Sequence, residues 1–301
     1  MSGVLKMART VYVDTSRTAT NGKKRKPHYV YDGEKVFEVN KLTKLKDVDE
    51  VFIDTLFPEI YEEVLELLKR GIKVYLLKDI RILKKLRLEN NLKKSDENDA
   101  VVLSKIPRDG FRLLTVQEME KRVKLWPLIN KYELLTKRVK TLKQWIKNDG
   151  YDYELRGSIR LMEEDKRDVA RKIVELLSDN AIYREACRLF GFSDSIEAAI
   201  LIAKLPLNLR LNVLKKFVGL TPNCKGKYDH KTRMHLSQLA TNVYMNVKRW
   251  KDKWGVPEEF KEIVECLPQR RAIYRLQSRI LKTLRRAYFL ANNQINDGPT
   301  G

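Results

Sequence analysis

The chain has 301 residues, with 61 Lys and Arg against 40 Asp and Glu, a formal net charge of +21. A heat-adapted surface would carry many charges of both signs but not this imbalance, so a polyanionic partner is expected, and nucleic acid is the usual one. No apolar run reaches the ~18–20 residues of a bilayer span, the N-terminus lacks an extended apolar signal stretch, and the three scattered cysteines suggest neither a disulfide framework nor a zinc site; a cytoplasmic protein with no membrane partner is expected.

Residues 8–112 alternate strand-like and helix-like segments. Residues 11–14 form a short strand, and the basic stretch 20–27, with Lys23, Lys24, Arg25 and Lys26, reads as a turn open to phosphate. Residues 28–31 and 35–39 make two strands joined at Asp32-Gly33, a hairpin signal. Residues 51–54 read as a buried strand. Pro58 opens a helix whose Ile60, Val64, Leu65, Leu67 and Leu68 keep helical spacing, and Gly71 stops it. Another buried strand covers 74–77, a basic helical region 81–92, and a further helix begins at Asp96. Three strands, a fourth, a helix, a fifth and a helix is the order of an RNase H-like domain.

Residues 113–180 change character. Glu, Lys, Arg and Leu dominate, with Leu125, Ile129, Leu135, Val139, Leu142 and Ile146 at helical intervals and a break at Asn148-Asp149-Gly150. A long helical hairpin is expected, packed internally or paired as a coiled coil between chains. Residues 181–291 are read as a helical C-terminal domain. In it, Phe190-Gly191-Phe192-Ser193 and the apolar run 196–205 resemble a small helix-turn-helix unit. Its last helix carries Arg275, Arg279, Arg285 and Arg286 among apolar residues, a pattern suited to phosphate contact. Residues 292–301 are expected to be a disordered tail.

Four carboxylates stand out. Asp14 and Asp54 close the apolar runs 11–13 and 51–53. In Lys94-Ser95-Asp96-Glu97-Asn98-Asp99-Ala100, Asp96 and Asp99 lie three apart at the start of a helix and therefore share a face. Taken singly, each reads as a cap or a solvated acid. Together, from two strands and one helix, they supply enough hard oxygen ligands for a pair of divalent cations. The three histidines, His28, His230 and His235, are spaced poorly for zinc.

The same residues resemble a known group. Asp14 after a strand, an acid after a second strand and before a helix, and Lys-Ser-Asp-x-x-Asp-Ala are similar to the DEDD transposases with a RuvC-like catalytic domain. These form the insertion-sequence family numbered one hundred and ten, relatives of the Piv-type invertases. The resemblance continues in the helix, glycine turn and strand of 57–77, in Gly191 to Ala199, in Phe217-Val218-Gly219-Leu220-Thr221-Pro222, and in Lys231-Thr232-Arg233-Met234-His235-Leu236. It implies a DNA recombinase that cuts and rejoins strands, with Asp14, Asp54, Asp96 and Asp99 holding two magnesium ions, or manganese in their place. Its implied partners are DNA, a guide RNA in those members that use one, and further copies in a homodimer or homotetramer. Lys225, Lys227, Lys231 and Arg233 would add phosphate contacts. Two departures stand beside it. Asp54 replaces the usual glutamate, and no serine nucleophile follows Gly219-Leu220-Thr221-Pro222; Cys224 and Tyr228 are the substitutes at hand. A metal-only nuclease of the junction-resolving kind, or a nucleic-acid-binding relic, are the alternatives.

Overall fold

The computed structural model describes residues 9–16, 26–221, 228–249 and 257–294. The expectations for Lys23, Lys24, Arg25, Cys224, Lys225 and Lys227, and for the tail beyond residue 294, lie outside the described residues. The protein is α/β in its first part and helical in the rest. It divides into two compact units, one running to residue 123 and including 208–210, the other made of 124–207 and the chain from 211 onward.

In the first unit, β1 (Thr10–Asp14), β2 (His28–Tyr31), β3 (Val36–Val39), β4 (Glu50–Ile53), β5 (Lys73–Leu77) and β6 (Phe111–Leu113) form one sheet in the order β3-β2-β1-β4-β5-β6. β1, β4 and β5 run parallel, and β2, β3 and β6 join antiparallel. Parallel strands are buried on both faces, and the side chains divide accordingly. Val11, Val13, Val51, Ile53, Val74 and Leu76 pack on one face with α1 (Tyr61–Lys69). Phe52, Tyr75 and Leu77 face the other way, toward α2 (Arg81–Glu89) and α3 (Asp96–Leu103). Pro58 opens a single 3-10 turn, Pro58–Ile60, ahead of α1 rather than the helix itself. Proline at the first position forgoes no intrahelical bond. Gly71, at φ +82°, ends α1. The hairpin turn holds because Asp32 Oδ1 accepts the amides of Glu34 and Lys35.

Tyr12, Phe52 and Tyr75 lie side by side on β1, β4 and β5, their ring centroids 5.2 and 4.6 Å apart. A one-residue slip would send these rings to the opposite face. The ladder therefore pins the register, and the register aligns the ends of β1 and β4.

The second unit holds the rest of α4 (Val116–Asp149), then α5 (Arg156–Leu177), α6 (Ala181–Phe190), α7 (Ile196–Lys204), α8 (Leu211–Phe217), α9 (His230–Arg249), α10 (Glu258–Cys266) and α11 (Gln269–Gln294). The expected hairpin is formed by α4 and α5, linked by Lys143–Glu163 (2.6 Å) and Lys131–Asp165 (3.1 Å). It does not stand apart from the C-terminal helices: α5 packs on α7, and α6 and α9 pack on α11, so these helices share one compact unit. The expected helix, turn and helix are formed by α6 and α7, capped by Asn180 and Ser195, with α7 buried from Glu197 to Lys204. Among the described residues no helix is long and apolar enough to cross a membrane.

Candidate metal centre

Parallel pairing of Val13 with Ile53 carries the chain from both strands out at the same edge, so Asp14 and Asp54 emerge side by side. The Asp54 amide donates back to the Val13 carbonyl (3.3 Å), which holds the two ends together. Asp54 is 6% exposed. Its Oδ1 accepts the backbone amide and hydroxyl of Thr15 (2.8 and 2.7 Å), and its Oδ2 accepts the hydroxyl of Thr55 (3.0 Å). Asn208 Nδ2 donates to the Asp54 carbonyl (2.8 Å) and fixes the backbone behind it. α3 brings the second pair. Its N-cap Ser95 accepts the Asn98 amide, and Asp96, Glu97 and Asp99 fill the first turn, where the helix dipole favours negative charge. α3 packs against β1 and β2, which presents Asp99 toward the strand ends.

The electrostatics register this crowding. Burial, then the charges of Asp54, Asp99 and Asp96, push the Asp14 carboxyl up to about 10, against a small opposing pull from Arg87. Burial also raises Asp54, although the Thr15 and Thr55 hydrogen bonds work the other way. Like charges gathered at a partly dry site either hold protons or take up a cation. Asp54 and Asp99 are buried and Asp96 is about half-exposed, and carboxylate oxygens are the donor type and charge a hard divalent ion takes. The cage is not closed, however. Among the described residues no three His, Cys, Asp or Glu side chains already converge on one ion position. Beside the acids, Arg87 of α2 donates through Nη1 to Asp99 Oδ1 in a close ion pair. Lys26 reaches Asp96 only at 4.0 Å and is largely exposed.

The other expected contacts separate into two groups. Arg275 and Arg286 are exposed. Arg275 lines a groove of about 1000 Å³ with Lys215, Arg270, Arg271 and Tyr274, a surface suited to a phosphate chain. Arg279, by contrast, is ion-paired with Glu259, and the Arg285 guanidinium lies 4.6 Å over the Phe289 ring. Lys231 is held by Glu133 (2.8 Å), and Arg233 donates to the Val218 carbonyl (3.3 Å). Tyr228 packs its ring on His230, with centroids 4.1 Å apart, and against the face of Gly219. Its position is that of a packing residue.

A second charged cluster escaped notice in the sequence. Glu133 on α4, Glu197 and Lys204 on α7, and His235 on α9 form a buried network. Lys204 Nζ meets Glu133 Oε1 (2.7 Å), and His235 lies 2.8 Å from Glu197 and 3.5 Å from Glu133. Burial opposes the charge on Glu133, but His235, Lys204 and Lys231 bring its carboxyl down to about 2. Lys204 occupies the centre a cation would need, so this cluster is an internal brace. In the sequence, its members showed only as isolated charges on apolar helices. No protein-family model matches the chain, and no curated protein matches it in sequence.

Proposed function

We propose that the protein is a magnesium-dependent enzyme that cleaves and rejoins DNA strands, a transposase or recombinase of the DEDD type on an RNase H-like domain. The single observation that carries this is the gathering of Asp14, Asp54, Asp96 and Asp99 where β1, β4 and α3 meet. The order of strands and helices in the first unit, with acids at neighbouring strand ends, supports the same reading, as does the net charge of +21. Bound there, divalent ions would supply Lewis-acid polarisation of phosphate oxygens on both the attacking and leaving sides. The chain's own groups do the rest. Asp54 is oriented by Thr15 and Thr55, Asp14 stands beside it, and Asp96 and Asp99 approach from the helix. Exposed cations, including Lys26 beside the acids and those of the α11 groove, would hold the phosphate backbone; a guide RNA would meet the same surfaces.

A second reading is a metal-only nuclease in which water attacks the phosphate. It is favoured by the absence of serine after Gly219-Leu220-Thr221-Pro222 and by the packed ring of Tyr228. Both readings are tested with branched DNA. Magnesium-dependent nicking by the full chain, abolished in Asp99→Asn, is the expected result. A trapped protein–DNA adduct that disappears in Cys224→Ala supports joining through a covalent link, whereas nicking indifferent to Cys224 and Tyr228 supports the hydrolytic enzyme. Tight binding with no cleavage under magnesium or manganese would leave only a nucleic-acid-binding protein.

A further inference from the structure

We propose that Arg87 is the built-in counter-ion of the carboxylate centre, holding Asp99 in the place a divalent cation would take and leaving it when the cation binds. This rests on the metal reading above and adds a gate to it.

The argument starts from burial. The side chains of Arg87 and Asp99 are only 13% and 12% exposed, so their contact is shielded from water, unlike exposed pairs such as Lys85–Glu89 and Arg171–Asp168. Shielded pairs hold their partners in place, because removing one side strands the other charge. Arg87 lies on α2 and Asp99 in the first turn of α3, and these helices pack on one another beside β1. The positive charge of Arg87 is also felt at Asp14, whose carboxyl it draws downward. Among the described residues, Lys26 stands at 4.0 Å from Asp96 on an exposed arm and compensates little.

The chemistry sets the two cations in competition. Arg87 occupies Asp99 Oδ1, and a hard divalent ion seeks the same carboxylate charge and oxygens. A guanidinium kept on that carboxylate would bring a second positive group near the ion and weaken its hold. Once released, the planar guanidinium suits a phosphodiester oxygen, so Arg87 would pass from Asp99 to the DNA as the ion takes its place. Apparent metal affinity is then lowered by the fraction of molecules in which Arg87 remains docked.

The test is a titration of the full chain with Mn2+ alone, followed by electron paramagnetic resonance, with thermal unfolding measured in parallel. Arg87→Gln should bind Mn2+ at least about fivefold more tightly than the parent chain. It should also melt lower without metal and recover more on adding Mn2+. Arg87→Lys, which keeps the charge but loses the planar fork, should fall between the two and serves if the glutamine variant does not fold. Adding Asp99→Asn to Arg87→Gln should erase the gain. Equal or weaker Mn2+ binding in both Arg87 variants, with the parent chain binding normally, overturns the proposal and leaves the metal centre standing. No Mn2+ uptake by parent or variants overturns the metal reading itself, and this inference with it.

Discussion

At the scale of single residues, the centre depends on small groups that set the direction of large charges. Thr15 is the clearest. Its hydroxyl lies 2.7 Å from Asp54 Oδ1 and 2.6 Å from the Thr55 carbonyl, all of it buried. Thr15→Val keeps the shape and removes the hydroxyl, leaving a buried carboxylate oxygen with one donor fewer. We expect a loss of about 1–3 kcal/mol in urea unfolding, with weaker Mn2+ uptake because Asp54 is no longer oriented. Gly219 makes a steric demand instead. Its φ is +68°, and a Cβ added there would stand 2.7 Å from the ring of Tyr228. Gly219→Ala should therefore cost more than about 1 kcal/mol and release Tyr228 from its packing, seen as altered tyrosine fluorescence. A melting temperature equal to the parent's would show that the glycine is not needed. Gly219 was legible in the sequence as a motif member and Tyr228 as a candidate nucleophile; that one is packed on the other was not, because the contact closes a loop with no periodic pattern of its own.

At the scale of elements, regular patterning was readable and pairing between distant elements was not. The alternation in β1, the apolar runs of β4 and β5, the α1 spacing and the Asp-x-x-Asp turn of α3 all announce themselves within a few residues. β6 did not, because Phe111, Arg112 and Leu113 are too few for a period, and a boundary drawn at 112 cuts the strand. The apolar run of α7 signals a helix buried on all sides, which it is from Glu197 to Lys204. The brace of Glu133, Glu197, Lys204 and His235 joins three helices and has no local signature. Such a brace has measurable consequences. Lys204→Met should lose on the order of 3 kcal/mol by leaving Glu133 undercompensated. Burial lowers the His235 pKa, but Glu133 and Glu197 more than reverse this and hold it above the ordinary 6.5. A raised value in the folded state means His235 stabilises fully below pH 6.5 and ceases to as pH climbs through the folded value. Glu118 works at the other end. Burial opposes its charge, yet Arg112 and Arg122 draw its carboxyl down to about 2. Its contribution is present above the ordinary 4.5 and is lost as pH falls toward 2. Urea midpoints of parent, His235→Gln and Glu118→Gln from acid to alkaline pH check both signs: the histidine variant should lack the alkaline decline and the glutamate variant the acid one.

At the scale of the whole molecule, the excess of positive charge was plain from composition, yet which cations are available is a tertiary fact. Arg279, Lys231 and Arg233 read as phosphate contacts in the sequence and are committed to Glu259, Glu133 and the Val218 carbonyl. Arg270, Arg271, Arg275, Lys282 and Arg286 remain exposed along α11. The distinction predicts how the proposed nucleic-acid binding would respond to salt. Each phosphate neutralised on duplex DNA contributes a slope of about −0.9 to the dependence of log K on log salt. Replacing Arg271 or Arg275 with alanine should therefore reduce the slope by up to about one each, with unfolding unchanged. Replacing Arg279 should do the opposite: the slope stays, and stability falls because Glu259 loses its partner, while Lys231, exposed and only one of the groups on Glu133, should affect stability little. Fluorescence anisotropy with one duplex at several salt concentrations, paired with urea unfolding of each variant, separates the two classes. If the exposed and the internally paired cations changed the slope alike, the charge would be acting as a diffuse field, and the groove beside α11 would have no special claim on the phosphate backbone.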